Sequence, residues 1–196
     1  MTKTGLPTHC FKPLVDAQLE QVWQWRNSAR VRQNMHNVEP ISWQQHLSWF
    51  AGLQNDPCRK FFILWQNERA IGVLNFSKLD TPRPEWGCYL GETDVWPGSG
   101  IILELAALDY VCANPLFSHL DAQVLSFNMA ANKLHKVFEY EQLMAQQAGQ
   151  RNEQDFAILH YSYPLKQWSQ KRDKILAKLP KNIALVAATI QFAEEE

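Results

Sequence analysis

Paired-cysteine motifs are missing from this chain. Its four cysteines, Cys10, Cys58, Cys88 and Cys112, stand far apart with no Cys-x-x-Cys, and its six histidines form no closely spaced ligand set. That spacing excludes a disulfide framework, predicts free and mostly buried thiols in a reducing compartment, and leads us to expect no metal. Charge of one sign is also lacking: 19 Lys and Arg stand against 20 Asp and Glu, a formal net charge of -1. Without a long-range field, neither nucleic acid nor an anionic membrane is an expected partner. No uninterrupted apolar run reaches the ~18 residues of a membrane span. Residues 1–10 hold no apolar core of signal-peptide length, so the expected location is the cytoplasm. Internal repeats and low-complexity linkers are absent as well.

What is present is apolar mass: 46% of the 196 residues are hydrophobic, enough for one substantial core. Phe11 to Val15 reads as a short strand, followed by a helix capped by Asp16 and running through Trp23, Trp25 and Arg26 toward Met35. Ser42 and Gln45 have capping-box spacing for a second helix bearing Leu47, Phe50 and Leu53. Lys60–Trp65 and Ala70–Phe76 flank Gln66-Asn67-Glu68-Arg69 as a two-stranded hairpin, and residues 80–84 form a proline turn. The late part reads as a strand over Asp155–Tyr163 and a lysine-rich helix from Leu165 to Leu179. Its run Lys171, Arg172, Lys174, Lys178 and Lys181 is expected to be a solvated face. Residues 183–192 are apolar; they pack either back on the domain or onto a second subunit of a homodimer, and the sequence leaves both open.

Chemistry concentrates between Trp86 and Tyr140. Glu85–Gly91 looks extended, and Trp96-Pro97-Gly98-Ser99-Gly100-Ile101 is a glycine turn opening a helix from Ile101 to Ala113. That helix carries Ile102, Leu105, Ala106, Leu108 and Val111 on roughly one face. Amides bared by the glycine pair lie at the positive end of the helix dipole, where a phosphate or pyrophosphate is favoured. Asn114-Pro115 then breaks the chain, and His119–Phe127 alternates as a strand. Asn128 stands as a cap, with Ala131, Leu134, His135 and Phe138 on one helical face beyond it.

The spacing from Asn128 onward resembles the Asn-x-x-Ala-x-x-Leu-Tyr-x-x-x-Gly-Phe ending of the Gcn5-related N-acetyltransferases (GNAT). Here His135 falls on the tyrosine position and Glu139-Tyr140 replaces Gly-Phe. Trp25-Arg26-Asn27 resembles the ribosomal-protein alanine acetyltransferase branch. The segments 41–50, 71–78 and 125–128 narrow the similarity to the nucleotide-sugar N-acetyltransferases of pseudaminic acid biosynthesis. The resemblance runs from about Phe11 to about Ser162. It implies an α/β GNAT fold, a mixed central sheet with splayed parallel strands flanked by helices, in a domain of residues 1–163. Residues 164–196 follow as a C-terminal helix and tail of unknown packing.

It further implies an acetyl-CoA co-substrate and a UDP-amino-sugar partner, UDP-4-amino-4,6-dideoxy-N-acetyl-β-L-altrosamine. The sugar's 4-amino group would be acetylated, in the service of flagellin or surface-glycan modification. The expected cofactor contacts are Leu90, Pro97, Gly98, Ser99, Gly100, Ile101, Asn128 and Ala131. A backbone N–H of Tyr89 or Leu90 would polarise the thioester carbonyl, and His135 would donate the proton that the leaving thiolate needs. Glu85 is the candidate base, acting through water, with a surface salt bridge as its other reading. Glu104 reads as a helix-surface charge. The acceptor is expected at Arg26, His46, Ser77, Lys78, Trp86 and Tyr89, with Arg26 and Lys78 on phosphate oxygens. Two alternatives stay open: a ribosomal-protein-type N-terminal or small-amine acetyltransferase, and a catalytically silent CoA-binding scaffold.

Overall fold

The first strand, β1 (His9–Pro13), pairs antiparallel with β2 (Lys60–Gln66), and β2 with β3 (Arg69–Ser77). The β2–β3 turn closes on Asn67 at φ 56°, a conformation that asparagine tolerates. β4 (Glu85–Leu90) lies antiparallel to β3, and β5 (His119–Leu125) is parallel to β4. β6 (Glu141–Arg151), β7 (Gln154–Pro164) and the two-residue β8 (Gln191–Phe192) complete an eight-stranded sheet in the order β6-β7-β5-β4-β3-β2-β1-β8. This is a computed structural model, and it describes residues 5–193.

Helices cover both faces of the sheet. α1 (Leu19–Asn27), α2 (Ala29–Arg32) and α3 (Trp43–Gln54) lie on one side, where Leu19, Val22, Trp25 and Phe50 pack with Ile63 and Val73. α4 (Ser99–Cys112), α5 (Met129–Val137), α6 (Trp168–Lys178) and α7 (Lys181–Ala187) build the larger core on the other, against Phe62, Leu64, Leu74 and Phe76. Neighbouring strand residues 62, 63 and 64 thus divide between the two cores, as the pleat requires. Each fully buried side chain of this size contributes about 1.5–3 kcal/mol of transfer free energy.

Two helices differ from the reading of the sequence. The helix expected from Asp16 to Met35 is broken: residues 16–18 form a 3-10 turn preceded by Val15, and Asp16 caps nothing. Ser28 adopts ψ 141° between α1 and α2, and its hydroxyl accepts the Val31 N–H, so a local cap competes successfully with helix continuation. α4 is buried around its whole circumference rather than on one face. Its outer flank is covered because the Trp168 indole and the Arg172 guanidinium of α6 both donate to Asp109, at 2.7 and 2.8 Å. The solvated-face reading of the lysine-rich helix holds for Lys174, Lys178 and Lys181, which are exposed, whereas Arg172 turns to Asp109; Lys171 and Lys178 both pair with Glu139 at the surface.

The last residues, whose packing the sequence left open, join the same core. Ile183, Val186 and Ala187 are buried, and β8 pairs in parallel with β1. At the centre of the sheet the pairing is sparse, because β4 and β5 meet only at Glu85–Asp121 and Trp86–Ala122. Beyond Trp86 the two strands diverge.

Candidate active site

The divergence opens a cavity of about 830 Å³ that runs from α1–α3, past β4, to α4 and α5. Volumes of this order suit a sizeable organic ligand. Gly91 N–H donates to Ile71 of β3, and the Tyr89 carbonyl lies against Gly72 of the same strand. Because backbone groups alternate along a strand, Cys88 and Leu90 point theirs toward the opening. Of the expected pair Tyr89 and Leu90, the Tyr89 N–H therefore faces β3 and only that of Leu90, with Cys88, faces the opening. The Leu90 carbonyl accepts from Arg30 Nη2 at 2.9 Å, and the Gly91 carbonyl from the same nitrogen at 2.7 Å.

The glycine turn is less open than expected. Gly98 and Ser99 are buried, and a Cβ on Gly98 would strike the Trp96 ring and Ile183. Ser99 Oγ lies within hydrogen-bond distance of His9 Nε2 and Gln66 Oε1, and its N–H donates to Trp96. Ile101 N–H donates to the Gly98 carbonyl. Of the turn residues Pro97 to Ile101 only Gly100 lines the cavity. The floor of uncapped amides expected over residues 98–101 thus contracts to Gly100, since the Ser99 and Ile101 amides bond within the turn and Gly98 is buried. Asn128 caps α5 as expected, accepting the Ala131 N–H at 3.2 Å, and both residues line the cavity.

His135 reaches the cavity from α5, held by the end of its own helix. The N–H of Tyr140 bonds the His135 carbonyl and that of Glu139 bonds Lys136, a Schellman closure with Glu139 at φ 64° in the left-handed position. The Tyr140 ring stacks on the imidazole at 4.6 Å between centroids, and Tyr161 meets it edge-on at 4.8 Å. Glu104 is not the surface charge that the sequence suggests. It is 2% exposed, and its Oε1 lies 3.0 Å from His135 Nδ1. The contact has ion-pair distance without full hydrogen-bond alignment, and His135 Nε2 has no protein partner among the described residues. Cys88 presents its accessible area to the cavity; burial, and secondarily the charge of Glu104, push its thiol far up.

On the other side of β4, the sequence Trp25-Arg26-Asn27 explains itself. Trp25 packs so closely on Gly91 that no Cβ fits there, and its indole donates to Glu92 at 2.8 Å. Asn27 clamps both the N–H and the carbonyl of Ile41, fixing α1 to the entry of α3. Between them Arg26 is directed at the cavity. Its Nη2 donates to the Asn37 carbonyl, whereas Nη1 is buried without a partner among the described residues. Burial lowers its pKa, with Arg32 adding repulsion and nearby Tyr89 acting the other way. Burial raises the Tyr89 phenol.

His46 lines the cavity, but its Nε2 is bonded to the Leu19 carbonyl and its ring stacks on Trp49. Ser77, Trp86 and Tyr89 line it too. Lys78 does not: its Nζ is 2.7 Å from Glu85 Oε2, whose other oxygen accepts from Gln123. Glu85 thus makes the salt bridge that the sequence reading set against its role as a base. The sequence reading missed Arg30, Asn34, His36 and Arg59, which line the same cavity. They come from a helix, a loop and a pre-strand turn with no shared local pattern. Among the described residues no group of three or more His, Cys, Asp or Glu is placed to hold a metal ion, and no helix is long and apolar enough to cross a membrane.

A sheet split between two parallel strands, with a helix-capped turn beside the opening, is the acyl-CoA acyltransferase architecture, and the chain belongs to the GNAT acetyltransferase family. Residues 9–139 match the family described as acetyltransferase (GNAT) domain. The chain is an acetyl-CoA-dependent N-acetyltransferase. It is similar to acetyltransferase PseH of Campylobacter jejuni, with 30% identity over 126 residues, 64% of this chain and 78% of that protein. In fold it resembles the Vibrio cholerae spermidine N-acetyltransferase in complex with CoA and spermine, at TM-score 0.72 and 14% identity over 83% of this chain and 98% of the other. It also resembles RimL, a ribosomal L7/L12 α-N-protein acetyltransferase in complex with CoA, at TM-score 0.66 and 13% identity over 79% and 92%.

Proposed function

We propose that the chain transfers acetyl from acetyl-CoA to the 4-amino group of a UDP-linked amino-dideoxy sugar, UDP-4-amino-4,6-dideoxy-N-acetyl-β-L-altrosamine, in pseudaminic acid biosynthesis. The observation that carries the reading is Arg26 Nη1, a buried guanidinium nitrogen with no partner among the described residues, in a cavity that Arg30 and Arg59 also line. A buried unpaired cationic donor is costly unless an anion completes it, and the diphosphate of a nucleotide sugar is such an anion. Tyr89 offers a ring face to the sugar or the base, and Ser77 offers a hydroxyl; Trp86, expected in the same role, lies on the opposite face of β4, buried against His135. Lys78, paired with Glu85 at the rim, contributes to the acceptor's phosphates only by exchanging that partner. The likeness to PseH supports the same pathway.

On this reading the acyl-pantetheine lies along the Leu90 edge of β4, with its diphosphate toward Gly100 and the capped start of α5. The Leu90 N–H takes the developing oxyanion. The sugar amine attacks the thioester directly, and the leaving thiolate is protonated by His135. Water accepts the amine proton, since Glu85 is bonded to Lys78 and Gln123.

Incubation of the purified protein with acetyl-CoA and each of three acceptors tests this: the 4-amino UDP-sugar, a peptide with a free N-terminus, and spermidine. Thiol release and a product heavier by one acetyl group are expected with the sugar alone. Turnover of the peptide or the polyamine in its place would move the protein to an N-terminal or small-amine acetyltransferase, and CoA binding without turnover would make it a silent scaffold.

A further inference from the structure

We propose that Glu104 is the positioning residue for His135, its carboxylate partnering the Nδ1 proton so that Nε2 is the nitrogen offered to the reacting groups. The proposal deepens the proton-donor reading of His135 and rests on it. Glu104 sits in the middle of α4 at 2% exposure, with His135 at 3%. Among the described residues its only ionic partner is that imidazole, 3.0 Å away. A carboxylate removed from water without a partner is strongly disfavoured, so its presence in an otherwise apolar stretch, Ile101-Ile102-Leu103 and Leu105-Ala106-Ala107, needs a counterpart. The partner on one ring nitrogen decides which proton the other carries. Both ring nitrogens and Glu104 Oε1 are buried without an aligned hydrogen bond among the described residues; the 3.0 Å approach of Glu104 to Nδ1 leaves Nε2 as the nitrogen without a charged neighbour, on a ring that lines the cavity.

The surroundings add no competing charge. The ring faces Tyr140 beyond the end of α5 and Tyr161 on β7. Tyr163 packs behind Tyr140, and Cys88 on β4 lies near Glu104. Burial first, then the charge of Glu104, pushes the Tyr140 phenol up, and burial likewise raises Tyr161 and Tyr163. The tyrosines and the Cys88 thiol are therefore neutral near pH 7, and among the described residues Glu104 supplies the only formal charge facing the imidazole.

In the transfer, the amine nitrogen forms the amide C–N bond while the thioester C–S bond breaks with its electron pair passing to sulfur. The Nε2 proton goes to that thiolate. The nitrogen loses one proton on becoming an amide, and through water this proton restores the ring. At the moment of donation the ring carries protons on both nitrogens, and Glu104 balances that charge.

The test compares pH profiles of kcat/KM and kcat for the wild type, Glu104→Gln, Glu104→Asp and His135→Phe, with acetyl-CoA Kd and Tm for each. For Glu104→Gln the expected result is a kcat lowered tenfold or more, with the alkaline limb displaced to lower pH and acetyl-CoA Kd within twofold. Glu104→Asp recovers part of the limb's position. Nitrogen-15 NMR of the wild-type imidazole above its titration should show the Nδ1–H tautomer, a readout that needs no variant. An Nε2–H tautomer, or a Glu104→Gln profile superimposable on wild type while His135→Phe is impaired, overturns the role of Glu104 alone. An unimpaired His135→Phe removes the proton-donor reading itself.

Discussion

Arg26 owes its direction to its neighbours: Trp25 is locked under Gly91 and Asn27 to Ile41, so the guanidinium between them has little freedom to reach solvent. Arg26→Ala should raise KM for the nucleotide sugar by about 10- to 100-fold, the value of one or two charge-assisted hydrogen bonds, and leave KM for acetyl-CoA within twofold. Equal loss for both substrates would take Arg26 out of the acceptor site. His9 makes a different prediction. It is 1% exposed beside Ser99, and burial pushes its imidazole down to about 4. The unfolded chain binds this proton near pH 6.5 and the folded one only near 4, so the associated stability is complete above pH 6.5 and disappears as pH falls toward 4. The full effect is about 3 kcal/mol. Urea midpoints at pH 7.5 and pH 4.5 should therefore fall further apart in wild type than in His9→Gln; equal gaps would contradict the assignment.

At the scale of elements, the parts that were readable from sequence are those decided within a few residues. The Ser42–Gln45 capping box and the Asn128 cap rest on side chains that satisfy their own neighbouring backbone, the β2–β3 hairpin on an asparagine that tolerates the left-handed turn position, and each is present. The Ser28 break is also local, but the apolar periodicity through Trp23, Trp25 and Val31 runs across it and hides it. The face of α4 was misread for a long-range reason: α6 and α7, some 60 to 80 residues later, cover the Asp109 flank that periodicity assigns to solvent, and Glu104 is covered from another side by His135 of α5. The α5 terminus shows a substitution held by tertiary pairing. Glu139 occupies a left-handed position where the family has glycine, and it pairs with Lys171 at 2.8 Å and Lys178 at 3.1 Å. The strain is about 1–2 kcal/mol, whereas part-exposed pairs contribute at most about 1 kcal/mol each. With two such pairs offsetting part of the strain, Glu139→Gly should raise Tm by only about 1–2 °C; a fall would show that the lysine pairs dominate.

For the whole molecule, the split sheet was legible because the family resemblance carries its order of strands, while the shape of the acceptor half was not. That half is assembled from α1, the loop after α2, α3 and the start of β2. It is held partly by Arg151 of the distant β6–β7 hairpin, which donates to the carbonyls of Gln33, Met35 and His36 and stacks on Phe127 and Phe156. No window of sequence contains that arrangement. The glycine turn, conversely, drew more attention in the sequence than its buried conformation supports, since Trp96 and Ile183 cover Gly98. What the account depends on is that one continuous cavity takes both substrates, on either side of β4. A crystal structure of the protein with CoA and the UDP-amino-sugar measures this directly. The account predicts pantetheine along Leu90 with its sulfur beside His135, and the sugar's diphosphate on Arg26 Nη1. A diphosphate bound elsewhere with Arg26 still unpaired, or a CoA sulfur remote from His135, would contradict it.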